Sequence, residues 1–501
     1  MDDIATTTEL RRFRNTVGGE ARESATGRWF PSANPYAGED WAELPRCGAE
    51  DAEAAVEAAH AAFIRGPWAE MKASTRGKLL RRLGELIARD AEKLAAIETR
   101  DNGKLLAEMS AQLRYIPEWF HYYGGLADKI EGGVPPIDKA EMFVFTKREP
   151  LGVVVCITPW NSPLMLLSWK LAPALAAGCT VVIKPSEFTS CSTLALMELV
   201  KEAGFPDGVV NTVTGFGAEV GPALVEHPKV AKIAFTGGDA TGAAIYAQAA
   251  RGIKHVTLEL GGKSPNIVFE DANIDAAARG AISGIFAASG QTCIAGSRLL
   301  VQRSVYDEVC AKVVALAATA KLGDPTDPGT QVGPITTPAQ REKVLGYIEI
   351  AKAEGAKLLL GGGRPDDPDL GQGWFVQPTI FGEVSNSMRI AREEVFGPVL
   401  SIIPFTDEEE AVEIANDTIY GLASGVWTSS IRRAFTMADR IRAGAVWVNT
   451  YRAVSYLAPF GGTKMSGIGR ESGLAAIDEY LQTKSVWINL AEGIANPFVI
   501  R

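Results

Sequence analysis

The sequence predicts an α/β protein with two domains, each built around a mainly parallel sheet. From residue 150 onward, short apolar runs bounded by Gly or Pro alternate with helical stretches, a pattern typical of parallel sheets. The runs fall into two series that meet near residue 260. The 501 residues suit about two to four domains, and 47% hydrophobic with 22% charged residues is an ordinary globular composition.

The N-terminal part is predicted to be helical. Segments 51–66 and 73–100 are amphipathic and rich in Ala, Leu, Glu and Arg, with Asp51 and Ser74 as candidate N-caps. Ligands of parallel sheets bind at the carboxyl ends of the strands, and each predicted strand of the first series ends at a polar or Gly-rich turn. These strands are 153–157, 180–183, 210–213, 232–235 and 256–260.

The second series alternates with helices in the same way, and its predicted strands are 266–269, 298–302, 399–405, 424–428 and 445–449. Two further segments, 142–148 and 484–490, alternate as exposed strands and fit neither series. Exposed strand edges invite pairing, so we expect these two to pair with another subunit or with each other. The Pro- and Gly-containing segment 362–374 is predicted to be a surface loop.

Composition and charge argue against several classes of function. The net charge is −10 and the basic residues are scattered, so we expect no nucleic-acid partner. The longest uncharged stretch in the middle of the chain, 171–183, has 13 residues, against about 20 for a membrane-spanning helix. Residues 1–4 are acidic and lack an apolar signal core, so secretion is not indicated.

The cysteines and histidines narrow the chemistry further. Six cysteines without a C-x-x-C pair are typical of free thiols in a reducing compartment, so we predict a cytoplasmic protein. The four histidines are isolated from one another and from the cysteines, so no metal site is expected. A thiol, carboxylates and backbone amides then have to carry any catalysis.

Three residues are candidates for that catalysis, and the local sequence leaves each of them open. Cys293 lies in GQTCIAGSR at 290–298, where glycines allow close backbone approach, and is either a nucleophile or a buried packing residue. Glu259 ends an apolar strand and is either paired in a salt bridge or tuned as a base. Asn161, in TPWNSP at 158–163, is either an amide donor or an ordinary turn residue beside Pro.

Familiar phosphate-binding and hydrolase motifs are absent or incomplete. The GKS at 262–264 lacks the P-loop glycine, because Thr257 stands at its position, and no G-x-S-x-G elbow is present. Segment 215–221 approximates a dinucleotide fingerprint with one residue too many. Glu187, which follows the strand at 180–183, either accepts hydrogen bonds from a ribose diol or is a solvated loop charge.

Eight segments together resemble the aldehyde dehydrogenase superfamily, in the family's order and spacing, between about residue 25 and residue 490. They are PWNSP at 159–163, WKLAPALAAG at 169–178, KPSE at 184–187, FTGGDATG at 235–242, LELGGKSPNIV at 258–268, GQTCIAGSR at 290–298, EEVFGPV at 393–399 and PFGGTKMSGIGRE at 459–471. The resemblance implies an NAD(P)⁺-dependent enzyme that oxidises an aldehyde to a carboxylic acid. It also implies a Rossmann-like cofactor domain, an α/β catalytic domain and a small β flap for oligomerisation.

The resemblance assigns a role to each catalytic candidate. Cys293 would attack the aldehyde carbonyl to give a thiohemiacetal, and hydride transfer would leave a thioester. The thiolate is the reactive form and a free thiol has a pKa of about 8.5, so the site has to favour deprotonation. Asn161 and the Cys293 backbone N–H would hold the oxyanion. Glu259 would activate the hydrolytic water, with Lys170 as a partner near that carboxylate.

The resemblance also implies the cofactor contacts. Glu187 would accept from both ribose hydroxyls and repel a 2′-phosphate, so NAD⁺ is favoured, while flexible carboxylate placement in the family leaves NADP⁺ open. Gly238 stands where Ser is commoner, which removes one hydroxyl from the pyrophosphate site. The implied cofactor residues are Trp160, Lys184, Glu187, Gly237, Gly238, Gly242, Gln340, Lys343, Glu394 and Phe396.

The implied substrate is a semialdehyde or a bulky aldehyde. Ser162 stands where many relatives carry an aromatic residue, which should widen one wall of the tunnel. Arg452 in the loop 449–457 is either a contact for a substrate carboxylate or a loop or subunit-interface arginine, and its charge would disfavour betaine aldehyde. The implied substrate contacts are Tyr115, Ser162, Trp169, Thr292, Ile294 and Arg452, with Trp119 at the mouth.

The implied domains are a cofactor domain at 1–130 and 151–260, a catalytic domain at 261–465 and an oligomerisation segment at 131–150 and 483–501. A C-terminal helix at 466–482 is predicted to return to the cofactor domain. The flap predicts a homodimer or homotetramer.

Two other functions stay open as alternatives. A CoA-acylating relative would lack the water-activating carboxylate, so Glu259 argues against it. A non-catalytic binding or structural member of the fold would not need Cys293, Glu259 and Asn161 together.

Overall fold

The computed structural model describes residues 10–370, 372–493 and 498. The acidic N-terminus at 1–4 and the end of the predicted oligomerisation segment, beyond 493 apart from residue 498, lie outside the described residues. Within the described part of the chain, no helix combines the length and the apolar character needed to cross a membrane.

The first sheet contains all five strands predicted in the first series, paired in parallel. Every residue of Val153–Ile157 and of Thr180–Lys184 is buried, as expected for strands covered by helices on both faces. A short strand from the C-terminal part adds to one edge in the antiparallel direction. In spatial order the strands are Gly467–Ile468, His255–Glu259, Val230–Thr236, Val153–Ile157, Thr180–Lys184 and Val210–Thr212.

The second sheet contains the five strands predicted in the second series and two more that the sequence did not reveal. The additional strands, Lys357–Leu360 and Thr379–Gly382, are four residues long and pair with each other antiparallel at one edge. In spatial order the strands are Lys357–Leu360, Thr379–Gly382, Val399–Phe405, Arg298–Gln302, Pro265–Val268, Ala423–Trp427 and Ala445–Val448.

Helices cover both sheets. The α-helices are Ala49–Ile64, Ala73–Arg89, Ala91–Asn102, Leu106–Tyr115, Pro117–Leu126, Pro163–Ala177, Cys191–Ala203, Gly217–Glu226, Asp239–Ala250, Ile274–Ile285, Tyr306–Ala317, Pro338–Ala353, Arg389–Arg392, Glu408–Asn416 and Ile431–Arg440. Short 3₁₀ helices lie at Ala127–Lys129, Ala287–Gly290, Arg303–Val305, Pro368–Leu370, Lys464–Ser466 and Leu474–Tyr480.

Three details predicted for the N-terminal helices are wrong. The predicted helix 73–100 is two helices, because Asp90 has φ −101° and ψ 14° and breaks the helix while the apolar periodicity continues. Asp51 is not the N-cap but the third helical residue, and its carboxylate accepts a hydrogen bond from the Gly48 N–H at 2.9 Å. Ser74 is the second residue of its helix, which begins after Lys72 without a side-chain cap.

The two exposed strands pair with each other, which is one of the two outcomes that the sequence predicted. Met142–Pro150 and Leu481–Asn489 form a two-stranded antiparallel sheet, with Phe143 and Trp487 exposed. The segment 466–482 does reach the first sheet, but not as the predicted α-helix. It supplies the edge strand Gly467–Ile468 and then a 3₁₀ helix, because Gly467, Gly469 and Gly473 have positive φ values that interrupt an α-helix.

The N-terminus contributes a second small layer of strands that the sequence did not predict. Its three-stranded sheet has the order Arg11–Arg12, Glu39–Pro45 and Trp29–Asn34, and a separate hairpin pairs Asn15–Val17 with Glu20–Arg22. The domain boundaries implied by the family stay a prediction.

A buried carboxylate holds the helix Pro163–Ala177, which lies next to Asn161. Glu98 Oε1 accepts hydrogen bonds from the Leu164 N–H at 2.9 Å and from the Ser192 hydroxyl at 3.1 Å. Burial raises the pKa of Glu98 to about 7, although these two hydrogen bonds act in the opposite direction. The helix is therefore held by a carboxyl that takes up a proton more readily than an exposed glutamate.

This pKa shift predicts a pH-dependent stability. Between pH 4.5 and about 7 the unfolded chain has lost the Glu98 proton while the folded chain keeps it, so the free energy of unfolding falls as the pH rises. Relative to the Glu98→Gln variant, the free energy of unfolding of the wild type should fall by about 3 kcal/mol across this window and stay constant above it. Urea unfolding at a series of pH values measures the difference. The exposed Glu85→Gln is the control, and a pH-independent difference between wild type and Glu98→Gln would contradict the prediction.

Candidate active site

Cys293 lies on a tightly turned loop before the strand Arg298–Gln302. Residues 288–290 have φ values of 55°, 52° and 70°, in the left-handed region that is unfavourable for side chains other than glycine. A Cβ at Gly290 would lie 2.0 Å from the Gly397 carbonyl oxygen, so only glycine fits there. Cys293, three residues after this turn, is half-buried and packs against the edge of a hydrophobic core.

Asn161 and the Cys293 loop come together. Asn161 follows the strand Val153–Ile157 and precedes the helix Pro163–Ala177, and its side-chain amide donates to the Gln291 carbonyl at 3.0 Å. An amide nitrogen has two hydrogens, so one donor is left for a group bound beside Cys293.

The surroundings of the Cys293 thiol act on its pKa in opposite directions. Burial is the largest influence, the negative charges of Glu259 and Glu394 add to it, and together they raise the pKa of the thiol to about 12. The backbone N–H groups of Ile294 and Cys293 donate to the sulfur and lower the pKa. Those N–H groups are therefore positioned to stabilise negative charge at this point.

Glu259 ends the strand His255–Glu259 and is buried. Neither of its carboxylate oxygens has a hydrogen-bond partner among the described residues. Burial raises the pKa of Glu259 well above its usual value and the charge of Glu471 raises it further, while Lys170 and Arg470 oppose the shift. A buried carboxyl group that has a raised pKa and no hydrogen-bond partner is suited to proton transfer.

The direct partner of Lys170 is Glu471, not Glu259. The fully buried Lys170 ammonium forms an ion pair with Glu471 Oε1 and donates to the Thr236 hydroxyl at 2.5 Å. Lys170 therefore acts on Glu259 through its charge and through Glu471. Sequence reasoning missed Glu471, although it is the last residue of the resembling segment 459–471 and is an acidic residue in a glycine-rich stretch.

The predicted adenosine-side residues lie at the carboxyl ends of two strands of the first sheet that flank Val153–Ile157. Lys184 ends the strand Thr180–Lys184, and its ammonium pairs with Glu187 Oε2 at 3.0 Å. Gly237 and Gly238 follow the strand Val230–Thr236, and Gly238 is the N-cap of the helix Asp239–Ala250. A Cβ at Gly238 would meet nothing within 4 Å, so the helix N-terminus is open to an anion. A Cβ at Gly242 would lie 2.4 Å from Leu260 Cδ2, so that glycine serves close packing.

The predicted nicotinamide-side residues also cluster. Glu394 Oε1 accepts from the Gly262 N–H at 2.9 Å, and the Trp160 and Phe396 rings meet edge to face at 5.2 Å. The Gln340 amide donates to the carbonyls of Val395 and Phe396, both at 2.9 Å, and Phe396 has a φ of 57°. Gln340 thus holds the backbone that carries Phe396. The charge of Lys343 acts on Glu394, while its ammonium lies 6.0 Å above the Tyr347 ring.

Comparison with known proteins identifies the family. A sequence model described as the aldehyde dehydrogenase family matches residues 21–486. The chain belongs to this family. It is 48% identical to the (Z)-2-((N-methylformamido)methylene)-5-hydroxybutyrolactone dehydrogenase of Acinetobacter baylyi, over 98% of this chain and 100% of the relative. It is 45% identical to the human mitochondrial aldehyde dehydrogenase, over 95% of this chain and 92% of the relative.

Solved structures agree with this assignment. Staphylococcus aureus betaine aldehyde dehydrogenase in complex with NAD⁺ superposes with a TM-score of 0.96 at 42% identity, covering 97% of both chains. An NAD⁺ complex of Bacillus cereus aldehyde dehydrogenase gives 0.94 at 45% identity, covering 96% of this chain and 97% of the other. The predicted family, fold class and enzyme class are confirmed, and the roles of single site residues stay predictions.

In this family member, aromatic rings pack beside the predicted substrate pocket. Trp119 stacks on Trp169 with ring centroids 5.8 Å apart, and Tyr115 meets Trp119 edge to face at 5.0 Å. Trp119 does not lie at a pocket mouth, because its side chain is fully buried and its indole N–H donates to the Ser472 hydroxyl at 2.9 Å. Tyr456, which sequence reasoning missed, packs against Tyr115 at 6.1 Å.

The other predicted substrate residues differ in their surroundings. Thr292 is half-buried, whereas Ile294 is buried. Ser162 is buried and accepts a hydrogen bond from the Lys104 ammonium at 3.0 Å. Arg452 has a φ of 67° and donates one hydrogen bond, to the Ser283 carbonyl at 3.0 Å. Its contact with a substrate carboxylate stays a prediction.

One group of potential metal ligands occurs among residues 10–370, 372–493 and 498, far along the chain from Cys293. Ligand atoms of Glu53, Glu57 and His227 lie within 4.8 Å of one another. His227 Nδ1 accepts a hydrogen bond from the Lys229 N–H at 3.1 Å, and His227 Nε2 lies 3.0 Å from Glu53 Oε2. Glu57 pairs with the Lys229 ammonium at 2.5 Å. Two of the three potential ligands, His227 and Glu57, already interact with Lys229. The group therefore gives no support to a metal centre.

The buried Lys170–Glu471 pair predicts a non-additive effect of mutations on stability. Lys170→Met leaves the Glu471 carboxylate buried without its cation, and breaking such a pair costs about 3–5 kcal/mol. The double variant Lys170→Met with Glu471→Gln removes both charges and should recover a large part of that loss. Urea unfolding of the wild type, both single variants and the double variant measures the coupling. Additive losses would contradict the prediction.

Proposed function

We propose that the chain oxidises an aldehyde to a carboxylic acid with NAD⁺, through a covalent adduct on Cys293 that a Glu259-activated water hydrolyses. The observation that carries the proposal is the placement of Glu259. Its carboxyl group is buried, has no hydrogen-bond partner among the described residues, and acts through its charge on the Cys293 thiol. A nucleophile and an unfixed base in one enclosure supply the two groups that hydrolytic oxidation requires.

In the first half-reaction the Cys293 thiolate adds to the carbonyl carbon, and the carbonyl oxygen becomes an oxyanion. The Asn161 amide and the Cys293 backbone N–H supply donors on the side where this oxyanion forms. One such donor is typically worth about 2.7–4 kcal/mol of transition-state stabilisation. Bound NAD⁺ would supply the acceptor for the hydride that leaves the adduct, so that a Cys293 thioester remains.

In the second half-reaction Glu259 removes a proton from water as the water oxygen attacks the thioester carbon. The Cys293 sulfur then leaves as thiolate, and the carboxylic acid product becomes a carboxylate by releasing its remaining proton to solvent. Glu259 needs a route to pass on its proton, and the buried Lys170–Glu471 pair, whose charges act on Glu259, is the proposed relay. The raised pKa of Glu259 favours its protonated state more than in an exposed glutamate.

The residues at the carboxyl edge of the first sheet fit a dinucleotide. The open helix N-terminus at Gly238 suits a pyrophosphate, and the half-buried Glu187 carboxylate suits a ribose diol. Glu187 would repel the 2′-phosphate of NADP⁺, which favours NAD⁺. Glu394, held by the Gly262 N–H, would accept from the second ribose, beside the paired rings of Trp160 and Phe396.

The proposed substrate class is a semialdehyde or a bulky aldehyde. A guanidinium has five N–H donors, so the bond from Arg452 to the Ser283 carbonyl leaves donors for a substrate carboxylate. A quaternary ammonium aldehyde is disfavoured beside this positive charge.

We further propose a homodimer or homotetramer assembled through the sheet of Met142–Pro150 and Leu481–Asn489. Its exposed Phe143, Trp487 and Ile488 support this role, because exposed apolar strand surfaces favour association. All six cysteines are free thiols, which supports the proposal of a cytoplasmic location.

The first test removes the nucleophile. Cys293→Ser should abolish NADH formation with every aldehyde, because a hydroxyl is a far weaker nucleophile than a thiolate. Cys310→Ser is the matched control, since Cys310 is also a half-buried free thiol, and it should keep wild-type turnover. The assay follows NADH absorbance with NAD⁺ or NADP⁺ across aliphatic, aromatic and semialdehyde substrates. Normal turnover of Cys293→Ser, or an acyl-CoA product that requires CoA, would contradict the proposal.

The second test separates the two half-reactions. Glu259→Gln should still form NADH in a burst equal to the number of sites, followed by steady-state turnover about 10²–10⁴-fold slower than wild type. The physical reason is that the amide cannot remove a proton from water, so the thioester accumulates. Stopped-flow NADH absorbance measures the burst, and mass spectrometry detects the acylated Cys293. A steady-state rate equal to that of the exposed control Glu308→Gln would refute the role of Glu259.

A further inference from the structure

Lys104 is a buried lysine without a carboxylate partner. It is 2% exposed and lies in the short connection between the helices Ala91–Asn102 and Leu106–Tyr115. The buried lysines Lys170 and Lys184 are each paired with a glutamate, whereas Lys104 forms no ion pair with any described carboxylate. A buried unpaired ammonium is costly, so its presence calls for an anion that forms nearby.

The fold places this ammonium beside the Cys293 loop. Lys104 Nζ donates to the Ser162 hydroxyl at 3.0 Å, and the adjacent Asn161 amide donates to the Gln291 carbonyl at 3.0 Å. Gln291 stands two residues before Cys293. Ser162, Asn161 and Gln291 thus form a short path of contacts from the ammonium to the nucleophile loop.

A second set of hydrogen bonds links the segment around Lys104 to the Cys293 loop through Thr336. The Thr336 hydroxyl donates to the Asn102 carbonyl at 2.7 Å, and the Thr336 N–H donates to Gln291 Oε1 at 2.9 Å. The Asn102 side chain accepts from the Lys104 N–H at 2.9 Å. The position of Lys104 relative to the Cys293 loop is therefore set by hydrogen bonds on two sides.

Charged and titratable groups surround both members of the proposed pair. Lys104 is subject to the charges of Glu108, Arg452, Glu98 and Cys293, and burial lowers its pKa to about 8, so the ammonium form dominates at neutral pH. Cys293 is faced by the carboxylates of Glu259 and Glu394, and by the neutral phenol of Tyr451, whose hydroxyl donates to the Ile294 carbonyl at 3.0 Å.

Both carboxylates next to Cys293 oppose ionisation of the thiol, so a cation is needed on the other side. Lys170 is paired with Glu471, and the Arg452 guanidinium donates to the neutral Ser283 carbonyl. Two buried lysines, Lys104 and Lys263, form no ion pair with a described carboxylate. Lys263 is subject to the charge of Glu394, whereas Lys104 is subject to the charge of Cys293.

We propose that the Lys104 ammonium, anchored on the Ser162 hydroxyl, is a positioning residue that stabilises the thiolate form of Cys293. This inference rests on the proposed function only in taking Cys293 as the nucleophile. The anion that Lys104 lacks in the resting thiol state appears when Cys293 loses its proton to solvent. The charge of Lys104 then offsets the opposing charges of Glu259 and Glu394.

The test measures ionisation of Cys293 directly, without NAD⁺ or aldehyde. Iodoacetamide alkylates the thiolate, with the sulfur–carbon bond forming as iodide leaves, and mass spectrometry of the Cys293 peptide gives the rate as a function of pH. Lys104→Gln retains an N–H donor for Ser162 but removes the charge. It should slow alkylation about tenfold at pH 7, below the pKa of Lys104, and the difference should shrink above pH 8 as the wild-type ammonium loses its proton. Lys104→Arg retains the charge and should keep a profile close to that of the wild type.

Lys232→Met is the matched control, because Lys232 is equally buried and acts on Cys156 and Cys179 rather than on Cys293. If Lys104→Gln fails to fold, Ser162→Ala removes only the anchor of the ammonium. It should also slow Cys293 alkylation at pH 7, but by a smaller factor. Profiles of Lys104→Gln, or of Ser162→Ala in its place, that coincide with the wild type overturn the proposal. An inactive Cys293→Ser together with such coinciding profiles would overturn the role of Lys104 and leave the proposed function intact.

Discussion

Parallel strands end at the same edge of a sheet, and this constraint brings the candidate functional residues of the first domain together. Asn161 follows Val153–Ile157, Lys184 ends Thr180–Lys184, and Glu259 ends His255–Glu259. These residues are far apart in the chain, but their strands lie within one run of four adjacent parallel strands. The second sheet adds Cys293 to this edge, because the loop before Arg298–Gln302 faces Asn161.

Burial then determines the chemistry of this edge. It raises the pKa values of Cys293 and Glu259, and neither side chain is locked in an ion pair. Lys170 forms its ion pair with Glu471, so its ammonium does not contact Glu259 directly. The result is a half-buried free thiol and a buried carboxyl group without a hydrogen-bond partner among the described residues, next to a buried ion pair.

A large part of the fold was predictable from the sequence. The strands Val153–Ile157, Arg298–Gln302 and Val399–Phe405 have the predicted bounds, because continuous apolar runs flanked by Gly or Pro mark strands buried on both faces. The half-exposed edge strand Lys357–Leu360 was missed because its apolar run before the glycines is only three residues long. The break at Asp90 was missed because the apolar periodicity continues across it.

The candidate site shows the same division. The sequence by itself determined the order of the strands along the chain and the family. It also determined which thiol, carboxylate and amide are the candidates, because each lies in a short local segment that forms a backbone turn next to a strand end. Only the tertiary structure decided that Lys170 pairs with Glu471, that Trp119 is buried beneath the pocket, and that Lys104 reaches Ser162. These contacts join residues distant in the chain, and their partners depend on which buried charges the packing brings within hydrogen-bond distance.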